Sequence, residues 1–89
     1  MNEHVITADV YAHWGEEYPR YRVYVDNDLL TERDFIWPGS EAFIRENIIV
    51  NLDPGTHQVR IEQVNKQGSI TVKNITVDGA SSEPKFVIL

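Results

Sequence analysis

The chain has 89 residues, no cysteine and a formal net charge of -6, with 42% apolar, 25% charged and 10% aromatic residues. That length makes one small domain, and the missing cysteines exclude disulfides and thiolate metal sites. The acid excess argues against nucleic acid and anionic membrane surfaces as partners, and no apolar run approaches the roughly 20 residues of a membrane-spanning helix.

Met1-Asn2-Glu3-His4 opens the chain without the basic segment and long apolar stretch of a secretory signal. Period-two alternation, the mark of a half-buried strand, starts directly afterwards. Ile6, Ala8, Val10, Ala12 and Trp14 share one face, and Thr7, Asp9, Tyr11 and His13 the other. Tyr21, Val23 and Val25 then alternate with Arg22, Tyr24 and Asp26. Asp26-Asn27-Asp28 reads as a turn, because Asn and Asp tolerate left-handed backbone. From Leu29 to Trp37 the chain is extended, with Thr31, Arg33, Phe35 and Trp37 on one side. Pro38-Gly39-Ser40 ends that strand, and Glu41 to Glu46 reads either as a helical turn capped by Ser40 or as the lead into a strand.

Ile44, Glu46, Ile48, Val50 and Leu52 share the next apolar face. Asp53-Pro54-Gly55-Thr56 is the strongest turn signal, since proline presets one central residue and glycine supplies the positive φ of the other. A strand follows, with His57, Val59, Ile61 and Gln63 on one face. Asn65-Lys66-Gln67-Gly68 is expected to form a hairpin with Gly68 left-handed. Ile70 and Val72 have the opposite parity to Ile75 and Val77, which predicts a bulge near Lys73-Asn74 or burial of both faces. Asp78-Gly79 is a tight-turn pair, Ala80 to Lys85 a polar loop, and Phe86-Val87-Ile88-Leu89 a final short strand. About seven strands with turn signals every 8–12 residues predict an all-β chain, a single antiparallel β-sandwich or jelly roll over 1–89.

Enzymatic chemistry finds little footing. The three histidines show no HExxH or i,i+4 spacing, the glycines stand singly at turns rather than in a phosphate-cradling loop, and a sandwich of this size has little room for a walled active site. The expectation is a binding protein without cofactor.

Two features suggest recognition. Eight of the nine aromatics fall between residues 11 and 43. Trp14 and Tyr21 take apolar faces, with Phe43 a further core candidate, while Tyr11 and Tyr24 take polar faces of neighbouring segments. Exposed aromatics beside carboxylates suit either sugar rings or protein interfaces, where tyrosine and tryptophan supply hot spots. Asp26 and Asp28, with Glu32 and Asp34 nearby, are weak calcium candidates, although position six of an EF-hand register is Thr31 and position twelve is Trp37. The acidity is one-sided: residues 1–46 hold ten Asp or Glu against four Arg, and residues 47–89 hold four of each sign. The apolar terminal strand needs a partner, in its own sheet or in a neighbouring subunit.

As a set, Tyr24-Val25-Asp26-Asn27-Asp28-Leu29-Leu30-Thr31-Glu32-Arg33, Phe35-Ile36-Trp37, Asp53-Pro54-Gly55-Thr56-His57 and Lys73-Asn74-Ile75-Thr76-Val77-Asp78-Gly79 resemble small β-sandwich proteins of tailed bacteriophages, notably those of cyanobacteria. The resemblance spans about residues 21–79 and is most specific over 26–33. It implies a structural or accessory protein of the virion, made in the host cytoplasm, decorating or cementing capsid or tail as a homo-oligomer or within a lattice of other virion proteins. On this reading the expected contact residues are Tyr11, Tyr24, Arg33, Trp37, Phe86 and Leu89. A fainter similarity, carried by Val25-Asp26-Asn27, the Pro-Gly turn and Ile75-Thr76-Val77-Asp78-Gly79, links the chain to calcium-dependent xylan-binding modules. This chain has no equivalent of their glycine-rich opening and calcium-ligating loop. That similarity implies the alternative function, a carbohydrate-binding module aiding attachment to a host-surface glycan.

Overall fold

A computed structural model describes residues 3–36 and 42–89. They form eight strands: β1 (Glu3–His13), β2 (Arg20–Val25), β3 (Asp28–Asp34), β4 (Phe43–Asn51), β5 (Gly55–Gln63), β6 (Ser69–Val77), β7 (Ala80–Ser81) and β8 (Lys85–Ile88). One sheet runs β4-β1-β6-β7 and the other β3-β2-β5-β8, with every pairing antiparallel. The chain is an all-β sandwich. Trp37, the Pro38-Gly39-Ser40 turn and Glu41 lie outside the described residues; from Phe43 onward the segment with two readings is strand.

Parity decides what is buried, because successive side chains of a strand point to opposite faces. Ile6, Val10 and Ala12 of β1 meet Tyr21, Val23 and Val25 of β2, joined by Ile48, Val59, Phe86 and Ile88. Phe35 and Leu52, just past the ends of β3 and β4, complete the core. Two acids break the pattern. Asp9 and Glu46 are each only 2% exposed.

Turn chemistry sets the local reversals. Asp78 and Gly79 both take positive φ, 51° and 83°, in the two-residue β6–β7 hairpin, as such hairpins require. Asp26 at φ 56° turns β2 into β3. The parity switch in β6 is a bulge: pairing with β1 shifts register between Thr7 and Asp9, and Asn74 there has φ 55°. A second shift leaves Leu30 as an extra residue in β3, opposite Val23 and Tyr24.

The 65–68 turn departs from the expected hairpin. Gly68 is left-handed at φ 68°, but β5 and β6 lie in different sheets. Both edges of β5 face β2 and β8, and those of β6 face β1 and β7, so the turn is a crossing from sheet to sheet. Side-chain amides fasten it to the β1–β2 connection: the Gln67 Oε1 accepts from the Glu17 N–H (3.1 Å), the Asn65 Oδ1 from the Arg20 N–H (3.0 Å), and the Asn65 Nδ2 donates to the Tyr18 carbonyl (3.1 Å).

Candidate functional site

The two outer faces of the sandwich have different chemistry. On the β3-β2-β5 face, cross-strand register sets Arg20 opposite Asp34 and Arg22 opposite Glu32. Ion pairs join them at 2.6 and 2.7 Å, and Arg60 joins Glu62 at 2.7 Å. Exposed pairs of this kind add little stability; beside this ladder of alternating charge the face also exposes Leu29, opposite Tyr24, and Val87, opposite Thr56. Tyr24 belongs to it, its ring covered by the Arg60 guanidinium at 4.4 Å.

The β4-β1-β6 face sets exposed apolar and aromatic side chains among polar ones, with Glu3, Thr7, Asn47, Asn51 and Lys73 on the same side. Ile49 is 67% exposed and lies opposite Val5, 38% exposed. Phe43, 45% exposed, lies opposite Tyr11 with ring centroids 5.1 Å apart. This corrects the placing of Phe43 in the core: its parity is that of Arg45 and Asn47, on the outer side of β4. Between the two apolar pairs sits Asp9. Its carboxylate accepts the Arg45 Nε at 2.9 Å and the Asn74 Nδ2 at 3.0 Å. The Arg45 guanidinium first, and the Asn74 amide second, hold the Asp9 carboxyl below the usual carboxylate range against the opposing pull of burial. Lys73 lies 5.0 Å from the Tyr11 ring and Arg45 5.9 Å from that of Phe43. Exposed apolar and aromatic side chains beside an arginine whose charge is already balanced give this face the composition of an interface centre.

The residues expected to bind a partner do not form one site. β1 and β2 belong to different sheets, so Tyr11 and Tyr24 point away from each other on opposite outer faces. Arg33 lies on the narrow side between β3 and β4, bonded to the buried Glu46 carboxylate, which also accepts the Tyr21 hydroxyl at 2.8 Å. Phe86 is buried, 6.1 Å from the His57 ring, so it packs the core rather than meeting a partner, while Val87 and Leu89 are exposed. Trp14 sits one residue past β1, exposed, edge-on to Tyr18 at 5.9 Å, and is not core. Trp37 lies outside the described residues. Ile49 and Arg45 are not among the expected contact residues; their parity, shared with Phe43, is the sequence signal that puts them on the outer side of β4.

Of the two calcium candidates, Asp26 is engaged otherwise. The Asp26 Oδ2 pairs with the His57 Nδ1 at 2.8 Å and its Oδ1 accepts the Gln58 N–H at 3.0 Å. Among the described residues no group of three or more His, Asp or Glu is placed to hold a metal ion. Millimolar calcium is expected to leave the melting temperature unchanged; an EDTA-reversible rise of several degrees would contradict this. Compared with family models, curated proteins and solved structures, the chain matches none.

Proposed function

We propose that this chain is a non-enzymatic structural protein of a tailed-phage particle, a decoration or cement protein that docks on neighbouring virion proteins through the outer face of β4-β1-β6. The apolar side chains gathered around Asp9 on that face carry this reading. The opposite outer face holds a ladder of exposed ion pairs, with Leu29 and Val87 exposed beside it. The β4-β1-β6 face leaves Val5, Phe43 and Ile49 in water around the buried Asp9 carboxylate, which the exposed Arg45 balances in charge and Asn74 hydrogen-bonds. Apolar exposure of this kind gains nothing within the fold and gains free energy when a partner covers it. The phage resemblance of residues 21–79 supplies the setting, with other virion proteins or further copies of the chain as partners.

The test is incorporation. Tagged chain, produced in cells infected by the phage that encodes it, is expected to co-purify with particles at a fixed copy number. Ile49→Glu, which changes an outward side chain, is expected to keep the wild-type melting temperature and to reduce incorporation at least tenfold. Absence of the wild-type chain from particles rejects the virion setting. Undiminished incorporation of Ile49→Glu rejects the face.

The Tyr11–Phe43 pair favours a second reading, the carbohydrate-binding module, because adjacent outward rings also receive sugar rings. Glycan-array binding lost on Phe43→Ala with the fold intact would select it.

A further inference from the structure

His57 holds two connections together at one end of the sandwich. Its imidazole lies inside the start of β5, against the Phe86 ring of β8. Its Nδ1 meets the carboxylate of Asp26 in the β2–β3 turn at 2.8 Å, and its Nε2 meets the carbonyl of Asp53 in the β4–β5 crossing at 2.7 Å. A carboxylate and a carbonyl only accept, so both ring nitrogens must donate. The doubly protonated ring alone satisfies this geometry. A neutral ring leaves one nitrogen facing an acceptor with no proton between them.

We infer that His57 is a pH-sensitive clasp: protonated, it pins the β4–β5 crossing to the β2–β3 turn, and on losing its proton it releases that end of the sandwich.

The surroundings are consistent with the inference. From the β2–β3 turn Asp26 and Asp28 border the same hollow, and from the crossing Asp53 does. From β8 the side chain opposite His57 is the uncharged Phe86, and Lys85 stands one position away, opposite Gln58. The hollow, about 200 Å³, also reaches Leu30 and Leu52, so release bares apolar surface. Asp26 adds tension, being a non-glycine residue in left-handed backbone at φ 56°. The Asp26 carboxylate first, then the Asp53 carbonyl, raise the His57 pKa above its ordinary 6.5, and His57 in turn lowers that of Asp26 from 3.8. A raised histidine contributes stability that is complete below its unfolded value and disappears as pH rises through its folded value. A lowered aspartate contributes above its unfolded value and fails as pH falls through its folded one. The clasp is therefore fully closed between about pH 4 and 6.5.

The test is an NMR pH titration of the full chain, following the His57 ring nitrogens together with hydrogen exchange. Both nitrogens are expected to carry protons at pH 5.5. As His57 titrates, protection of the Thr56, His57 and Gln58 amides is expected to fall by about tenfold relative to amides at the opposite end of the sandwich. His57→Gln is expected to abolish that pH dependence. His4, which pairs with Asp78 at the same end at 2.6 Å, provides the control: His4→Gln is expected to leave it intact. A singly protonated His57 ring at pH 5.5, or protection that stays level through its titration, overturns the inference.

Discussion

Replacing Gly68 by alanine is expected to destabilise the protein by about 2–5 kcal/mol, more than any other single glycine change among the described residues. Two effects combine. Left-handed backbone costs an L side chain roughly 1–2 kcal/mol, and φ at Gly68 is 68°. A methyl group there would also run into the His13 carbonyl and approach the Gly15 N–H at 2.8 Å. Both obstacles are backbone, with no flexible side chain to swing aside, and overpacking of this kind costs a further 1–3 kcal/mol or so. For a domain of this length the melting temperature should fall by on the order of 15 °C. Gly79→Ala is the internal control. It has positive φ, 83°, with nothing within 4 Å of the added methyl, so it is expected to cost only about 1 kcal/mol. Thermal melts of the two variants check the difference. Equal losses would mean that the close approach of the β1–β2 connection to the β5–β6 crossing does not constrain the fold.

That close approach also marks where the sequence stops being informative. Gly68 is legible as a left-handed residue because its neighbours are turn formers. Which sheet the chain enters afterwards is not, since a turn fixes a local reversal and leaves the partner of the next strand open. The same holds for Tyr11 and Tyr24: parity puts both on outer faces, and only the pairing of β1 with β4 and β6 separates them to opposite sides. Parity carries far where strands are long and one-sided. It buries Ile6, Val10, Tyr21 and Val23, and its switch after Val72 marks the Asn74 bulge. It fails for Asp9, an outward residue covered by Arg45, 36 residues away, and by Asn74, 65 away. Those partners are brought together by strand pairing, and nothing local in the sequence announces them. Trp14 misleads for a simpler reason: β1 ends at His13, so the alternation that would bury it has already stopped.

Glu46 is legible by parity as an acid on a core face, and its removal is the other large effect. Glu46→Ala is expected to cost about 1–3 kcal/mol, the penalty for leaving the buried Tyr21 hydroxyl without its acceptor. Burial first, and the carboxylate second, keep the Tyr21 hydroxyl protonated well above its ordinary range. Without Glu46 that hydroxyl is buried with no acceptor. Glu46→Gln retains an acceptor oxygen and should lose far less. The double variant Glu46→Leu, Tyr21→Phe replaces the polar pair with apolar bulk, which is often neutral or stabilising, so its melting temperature should return close to wild type. The pair then has a second role, which the double variant exposes. β4 is an edge strand of nine residues with Phe43 and Ile49 exposed, and such edges attract other strands. Arg33 reaches Glu46 across the narrow side, so a strand adding there must strip water from that ion pair. Inward-pointing charge is a known guard on sheet edges. In sedimentation velocity the double variant is expected to associate as its concentration rises more strongly than wild type does, although its stability is restored. If the two sediment alike, Glu46 serves the core alone and the β4 edge is guarded by other means.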